Sequence, residues 1–160
     1  MLIKISDKFL VKAKVEDVWS IVSNMSKVLS CFPNVQKIET LSDGSTRVTF
    51  RVDISGAEER SLTSYLSRIS GKIDARYTEL NPTESLKVTA KGSVAGVKVI
   101  INLSVNLSSL PDGSTQVDYH VEADVGMLAK LFGMGLIQKI IENNASAFIQ
   151  RFKKMLERGG

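Results

Sequence analysis

The chain has 160 residues, 43% hydrophobic and 24% charged, with one histidine, one cysteine and a formal net charge of +4. This length fits one domain, 1–160, able to bury roughly 70% of the surface its unfolded chain exposes without a staple. One His and one Cys rule out a conventional His/Cys metal centre and an internal disulfide, and the modest charge falls short of a nucleic-acid binder's dense basic patch.

The first ten residues alternate. Ile3, Ile5, Phe9, Val11 and Ala13 share one parity and Lys4, Ser6, Lys8 and Lys12 the other, with Asp7 the exception on the apolar side. Lys4 and Ser6 also interrupt any signal-peptide core, and no apolar run approaches the ~18 residues of a membrane span. The expected location is cytoplasmic, with any membrane contact peripheral at the inner face.

Val15, Val18, Trp19 and Val22 then follow helical spacing, with Glu16 and Asp17 at the positive N-terminal end. A second short helix is predicted over residues 25–32 from Met25, Val28, Leu29 and Phe32, with Pro33 as its stop. Strands resume after the turn signal Asp43-Gly44. Val48, Phe50, Val52 and Ile54 form one face; Tyr65, Ile69, Ile73, Ala75 and Tyr77 the next, with Ser67 and Gly71 as gaps; Leu86, Val88, Ala90 and Gly92 another. Val97 to Leu107 and Val117 to Val125 alternate on either side of Pro111-Asp112-Gly113 and predict an antiparallel hairpin.

From Met127 the period becomes helical. A helix over about residues 137–157 would be roughly 30 Å long, enough to cover a sheet end to end. Gly126, Gly133 and Gly135 mark the preceding stretch as an irregular hinge.

The candidates for catalysis are sparse. His120 shares its parity with Asp118 and Glu122 and reads as a surface histidine, Cys31 as a buried structural thiol, and Glu58-Glu59-Arg60 as a solvated loop. No catalytic residue, metal ligand or cofactor is assigned. The polar residues inside apolar stripes carry more. Tyr65, Tyr77 and Tyr119 share the inward parity, where each phenol either orients a ligand's carbonyl or hydroxyl or reaches water. Asn144 falls near the inward side of the last helix or at the edge of its stripe. Ser67, Gly71, Ala90 and Gly92 thin the sheet face, which either leaves a cavity or is filled by Phe148, Phe152 and Met155.

Three stretches, Phe9-Leu-Val-Lys-Ala-Lys-Val-Glu-Asp-Val-Trp19, Cys31-Phe-Pro-Asn-Val35 and Ala123-Asp-Val-Gly-Met-Leu-Ala-Lys-Leu-Phe-Gly133, resemble the carbon monoxide dehydrogenase CoxG family, within the START-type, polyketide-cyclase-like helix-grip superfamily. Asn34 stands where that family commonly has Gly, and Lys14 replaces its usual Pro. The resemblance implies an α+β helix-grip fold. Its curved antiparallel sheet of about seven strands carries two short helices after the first strand, and a long C-terminal helix packs across it around a hydrophobic cavity.

The expected function is then a non-enzymatic carrier of an elongated hydrophobic small molecule, a lipid or isoprenoid quinone. The alternative is an adaptor recruiting a molybdenum hydroxylase or carbon monoxide dehydrogenase-like complex to the membrane, and a cyclase or dehydratase is a third reading. On the sheet the expected ligand-binding residues are Phe50, Tyr65, Ile69, Gly71, Ala90, Ile101, Leu103 and Tyr119. On the helix they are Ile137, Ile141, Asn144 and Phe148. A cavity mouth or membrane contact is expected from Met25, Leu29 and Phe32 together with Met127, Leu131, Phe132 and Met134.

Overall fold

The computed structural model describes residues 2–51 and 70–158. Val52, Ile54, Glu58, Glu59, Arg60, Tyr65, Ser67 and Ile69 lie outside the described residues.

Among the described residues, alternation becomes strand wherever it was legible. The elements run β1 (Leu2–Val11), α1 (Val15–Val22), α2 (Met25–Ser30), β2 (Val35–Thr40), β3 (Thr46–Arg51), β4 (Ser70–Asn81), β5 (Ser85–Val94), β6 (Val97–Ser109), β7 (Thr115–Asp124), α3 (Gly126–Phe132) and α4 (Met134–Arg158). The seven strands form one antiparallel curved sheet in the order β1-β7-β6-β5-β4-β3-β2, so β1 and β7, far apart in the chain, lie side by side.

Strand β2 escaped the periodicity. Its apolar residues Val35 and Ile38 are three apart because a bulge falls between Val35 and Lys37, and a bulge shifts parity by one. The glycine-rich stretch is a second correction. It is the helix α3 rather than an irregular hinge, because Gly126 opens that helix and Gly133, at φ +87°, follows its last residue. The glycines flank the helix instead of interrupting it. Asn34 has φ +61°, a backbone that asparagine tolerates where glycine is usual.

Two hairpin loops are built alike. In Asp43-Gly44-Ser45 and Asp112-Gly113-Ser114 the aspartate carboxylate accepts both the serine N–H and the serine hydroxyl, and each glycine sits at φ +88°. These hydrogen bonds hold both carboxyls below their usual range.

Helix α4 lies along the inward face of the sheet, anchored at its two ends. Near its start Ile137 joins Ile3, Val99 and Ala123, together with Leu128 of α3. Near its end Phe152 and Leu156 join Val11, Leu107 and Val117, together with Val18 and Val22 of α1. Helix α2 packs Met25 and Leu29 against Val48, Ala75 and Ala90 on the opposite flank.

An aromatic row crosses the layers at the Phe152 end. Phe152 meets Phe9 edge-on at 6.0 Å and stacks on Phe148 at 5.7 Å, and Phe148 meets Phe32 at 4.6 Å. Met155 takes no part in filling the interior and is 38% exposed. Phe152, 1% exposed, should cost about 3–5 kcal/mol when truncated to Ala. Met155→Ala should stay within about 0.5 kcal/mol of the parent. Urea unfolding of the two variants checks the contrast.

Candidate functional site

The sheet register explains why the centre of the fold is hollow. Ala75 faces Ala90 across β4 and β5, Ala90 faces Ile101, and Ile101 faces Ala123, so three alanines fall in one row across the sheet. Helix α4 meets the Ala123 end of the row through Ile137, while Ala75 and Ala90 pack with α2 instead. A cavity of about 430 Å³ results, within the range of about 300–1,000 Å³ typical of small-molecule sites.

Its wall is almost entirely aliphatic and aromatic. Of the residues expected at a ligand site, Phe50, Ala90, Ile101, Leu103 and Tyr119 line it from the sheet, and Ile137, Ile141, Asn144 and Phe148 from α4. Tyr65 and Ile69 lie outside the described residues. Gly71 is not on the wall: the Phe50 ring lies over it, and a Cβ there would come within 2.6 Å of that ring. Gly92 leaves no void either, since a Cβ there would run into the Lys72 carbonyl oxygen. Its smallness serves close strand approach.

The expected mouth divides into two groups. Met25, Leu29, Phe32 and Phe132 line the cavity. Met127 and Leu131 instead point outward from α3, 55% and 60% exposed, while Met134 packs among the residues anchoring the start of α4. They part because a helix turns its side chains about 100° per residue, so successive residues of α3 cannot all face the cavity. Residues absent from the expectation also line it, among them Phe9, Ile73, Tyr77, Val88 and Ile140. The inward parity of Ile73, Tyr77 and Val88 was the signal available for three of them.

Among the described residues, the polar side chains on this wall are Arg51, Tyr77, Tyr119 and Asn144. Two are occupied by the protein itself. Tyr77 donates its hydroxyl to the Val22 carbonyl at 2.6 Å, tying β4 to the end of α1, and Asn144 donates to the Ile140 carbonyl at 2.8 Å within its own helix. Burial pushes the Tyr77 phenol well above its ordinary value. Tyr119 packs its ring against Phe9 at 6.1 Å, and burial and then the Asp7 charge raise its phenol. Among the described residues its hydroxyl has no hydrogen-bond partner.

Cys31 lies in the core. Its thiol donates to the Lys27 carbonyl at 3.5 Å, and burial raises its pKa, which favours the unreactive protonated form.

His120 makes contacts its parity did not foretell. Its Nδ1 is 2.5 Å from the Ser6 hydroxyl and its Nε2 is 3.2 Å from Glu122 Oε1. A neutral ring giving its Nε2–H to the carboxylate accepts Ser6 O–H at Nδ1. This serine–histidine–glutamate chain lies on the outer face of β1 and β7, away from the cavity. The β7 backbone beside it is committed to the β1–β7 and β6–β7 ladders.

The model of the carbon monoxide dehydrogenase G-subunit (CoxG) family matches residues 8–157. The chain belongs to this family. No curated protein is significantly similar in sequence.

Among solved structures, a conserved protein from Geobacillus kaustophilus superimposes with a TM-score of 0.78 at 20% identity, covering 98% of this chain and 96% of that one. The Zhui aromatase/cyclase from Streptomyces sp. R1128 gives 0.70 at 16% identity, covering 99% and 95%. A START superfamily protein from Mycobacterium smegmatis gives 0.68 at 13% identity, covering 98% and 99%. At these identities the likeness establishes the START-type fold. The family's three carrier stretches map onto β1 with α1, the α2–β2 connection, and the end of β7 with α3.

The Tyr77 contact has a titration consequence. Its folded-state pKa stands above the unfolded value of about 10, so its contribution is complete below that pH and is lost as pH rises further. Tyr77→Phe should cost about 0.5–1.5 kcal/mol at neutral pH. It should also flatten the fall in stability between about pH 10 and 11, as urea titrations across that range would measure.

Proposed function

We propose that this CoxG-family protein is a non-enzymatic carrier of an elongated hydrophobic molecule, of the lipid or isoprenoid-quinone class, held between the sheet and α4. The observation that supports it is the cavity itself: a hollow of about 430 Å³ with a largely apolar wall, in which two of the four polar side chains among the described residues are already bonded to the protein's own carbonyls. Tight cores leave no such space, and apolar burial contributes about 25 cal/mol per Å² to binding.

Filling the alanine row tests this directly. Ala90→Trp and Ala75→Phe should each reduce uptake of a fluorescent acyl probe at least fivefold while circular dichroism stays that of the parent. Unchanged uptake in both folded variants would count against the cavity as the binding site. Native mass spectrometry of the freshly purified protein, followed by extraction, would identify the molecule carried.

A second reading, an adaptor that brings a molybdenum hydroxylase-type enzyme to a membrane, draws on the family name and on the outward face of α3. There Met127 and Leu131 are exposed beside the exposed Lys130, and Lys27 is exposed on α2. No helix among the described residues is long and apolar enough to cross a bilayer, so contact made through these helices would be peripheral. Under this reading, reversing Lys27 and Lys130 to Glu weakens sedimentation with anionic vesicles, and equal sedimentation removes the role.

A further inference from the structure

Among the described residues the cavity wall carries one cation, Arg51, and no carboxylate. Arg51 is the last residue of β3, and it is also the only described residue of the wall that is exposed. It follows the outward parity of Arg47 and Thr49, yet it borders the hollow at the end of the strand. An arginine stem covers apolar surface while its charged end stays in water, so Arg51 stands at the rim, where wall and solvent meet.

Its guanidinium is uncommitted. Arg47 forks onto Asp74 at 2.7 and 3.0 Å, Arg76 reaches Asp43 at 3.2 Å, and Arg151 donates to the Phe32 carbonyl at 3.1 Å. The Arg51 guanidinium has no hydrogen-bond or ion-pair partner among the described residues. Its backbone N–H, by contrast, is bonded to the Asn34 carbonyl at 3.0 Å.

That backbone bond places Arg51 beside the connection between α2 and β2, where Phe32, Pro33 and Val35 all line the cavity. Arg151 meets the same connection from α4, through Phe32. Two arginines thus join one flank of the hollow, one from the sheet and one from the helix, and neither is paired with a carboxylate among the described residues.

We infer that Arg51 receives the anionic head group, a carboxylate or a phosphate, of an amphiphile whose chain lies in the cavity, with Arg151 adding positive charge beside it. The inference rests on the carrier reading and narrows it to acids over molecules with neutral heads such as quinones. A guanidinium offers two parallel N–H donors to either anion. The head stays at the rim while the chain enters the apolar hollow, which spares both charges the full cost of burial. A neutral head gains little from a guanidinium, and inside the wall it meets only the uncommitted Tyr119 hydroxyl.

Chain-matched competitors test this. At about pH 8, where carboxylates are ionised, dodecanoate, dodecyl phosphate and 1-dodecanol are titrated separately against a bound fluorescent acyl probe. At least one anion should bind about fivefold more tightly than the alcohol, the scale of a charge-assisted pair that keeps some solvent. The anion that gains more tells a fatty acid from a phosphorylated lipid. Arg51→Gln should erase the advantage and leave 1-dodecanol unchanged. Arg51→Lys should keep part of it, because the charge remains and the fork does not.

Equal binding of all three competitors, or an anion preference unmoved in Arg51→Gln, overturns the head-group assignment while the carrier reading stands. A preference that survives Arg51→Gln and disappears in Arg151→Gln overturns it in favour of Arg151. Failure of the parent to bind the acyl probe or any competitor overturns the carrier reading, and the head-group assignment with it.

Discussion

Everything about the interior follows from where Phe152 sits. It is the point at which the long helix touches the sheet, through Phe9, and at which the aromatic row continues through Phe148 to Phe32 in the α2–β2 connection. A second anchor at Ile137 holds the other end of the helix against Ile3 and Ala123. A stiff helix pinned at two points spans the sheet between them as a beam. What lies between depends on the side chains of the central rows and on α2, which packs with Ala75 and Ala90.

Those rows are low because alanines line up across the sheet. Ala75, Ala90 and Ala123 come from three separate strands, and their smallness is ordinary in each alone. Placed in one row, they leave a hollow that a collapsing core would otherwise eliminate. The fold also manages its polar groups around this hollow. Tyr77 and Asn144 satisfy themselves on backbone carbonyls, whereas the Tyr119 hydroxyl has no hydrogen-bond partner among the described residues. A cavity with one uncommitted hydroxyl suits a ligand that is apolar over most of its length.

Membership of the CoxG family and the likeness to START-type structures agree with this physical picture, and neither names the ligand. The structure also redistributes the chemistry visible in the chain. The serine–histidine–glutamate chain of Ser6, His120 and Glu122 has the hydrogen bonds of a hydrolytic relay yet stands on the outer sheet face. Geometry of the surroundings, rather than the identity of the three residues, decides what they do.

Alternation of period two and the switch to period 3.6 were enough, by themselves, to place β1, the β6–β7 hairpin, α1 and the last helix, because each buries one face and the pattern records which. The same parity named Tyr119, Ala90, Ile101 and Leu103 as inward. It failed where the pattern is shifted or where helix and flanking glycines meet: the bulge hid β2, and glycines at the ends of α3 read as a break within it. Only the tertiary structure decided the cavity, the loss of Gly71 from its wall under the Phe50 ring, and the pairing of Tyr119 with Asp7 across two strands far apart in the chain. The physical reason is that periodicity reports the direction of a side chain relative to its own strand. Whether a space is filled depends on register between strands and on the height at which a helix is held above them, and neither quantity is written in any local stretch of the chain.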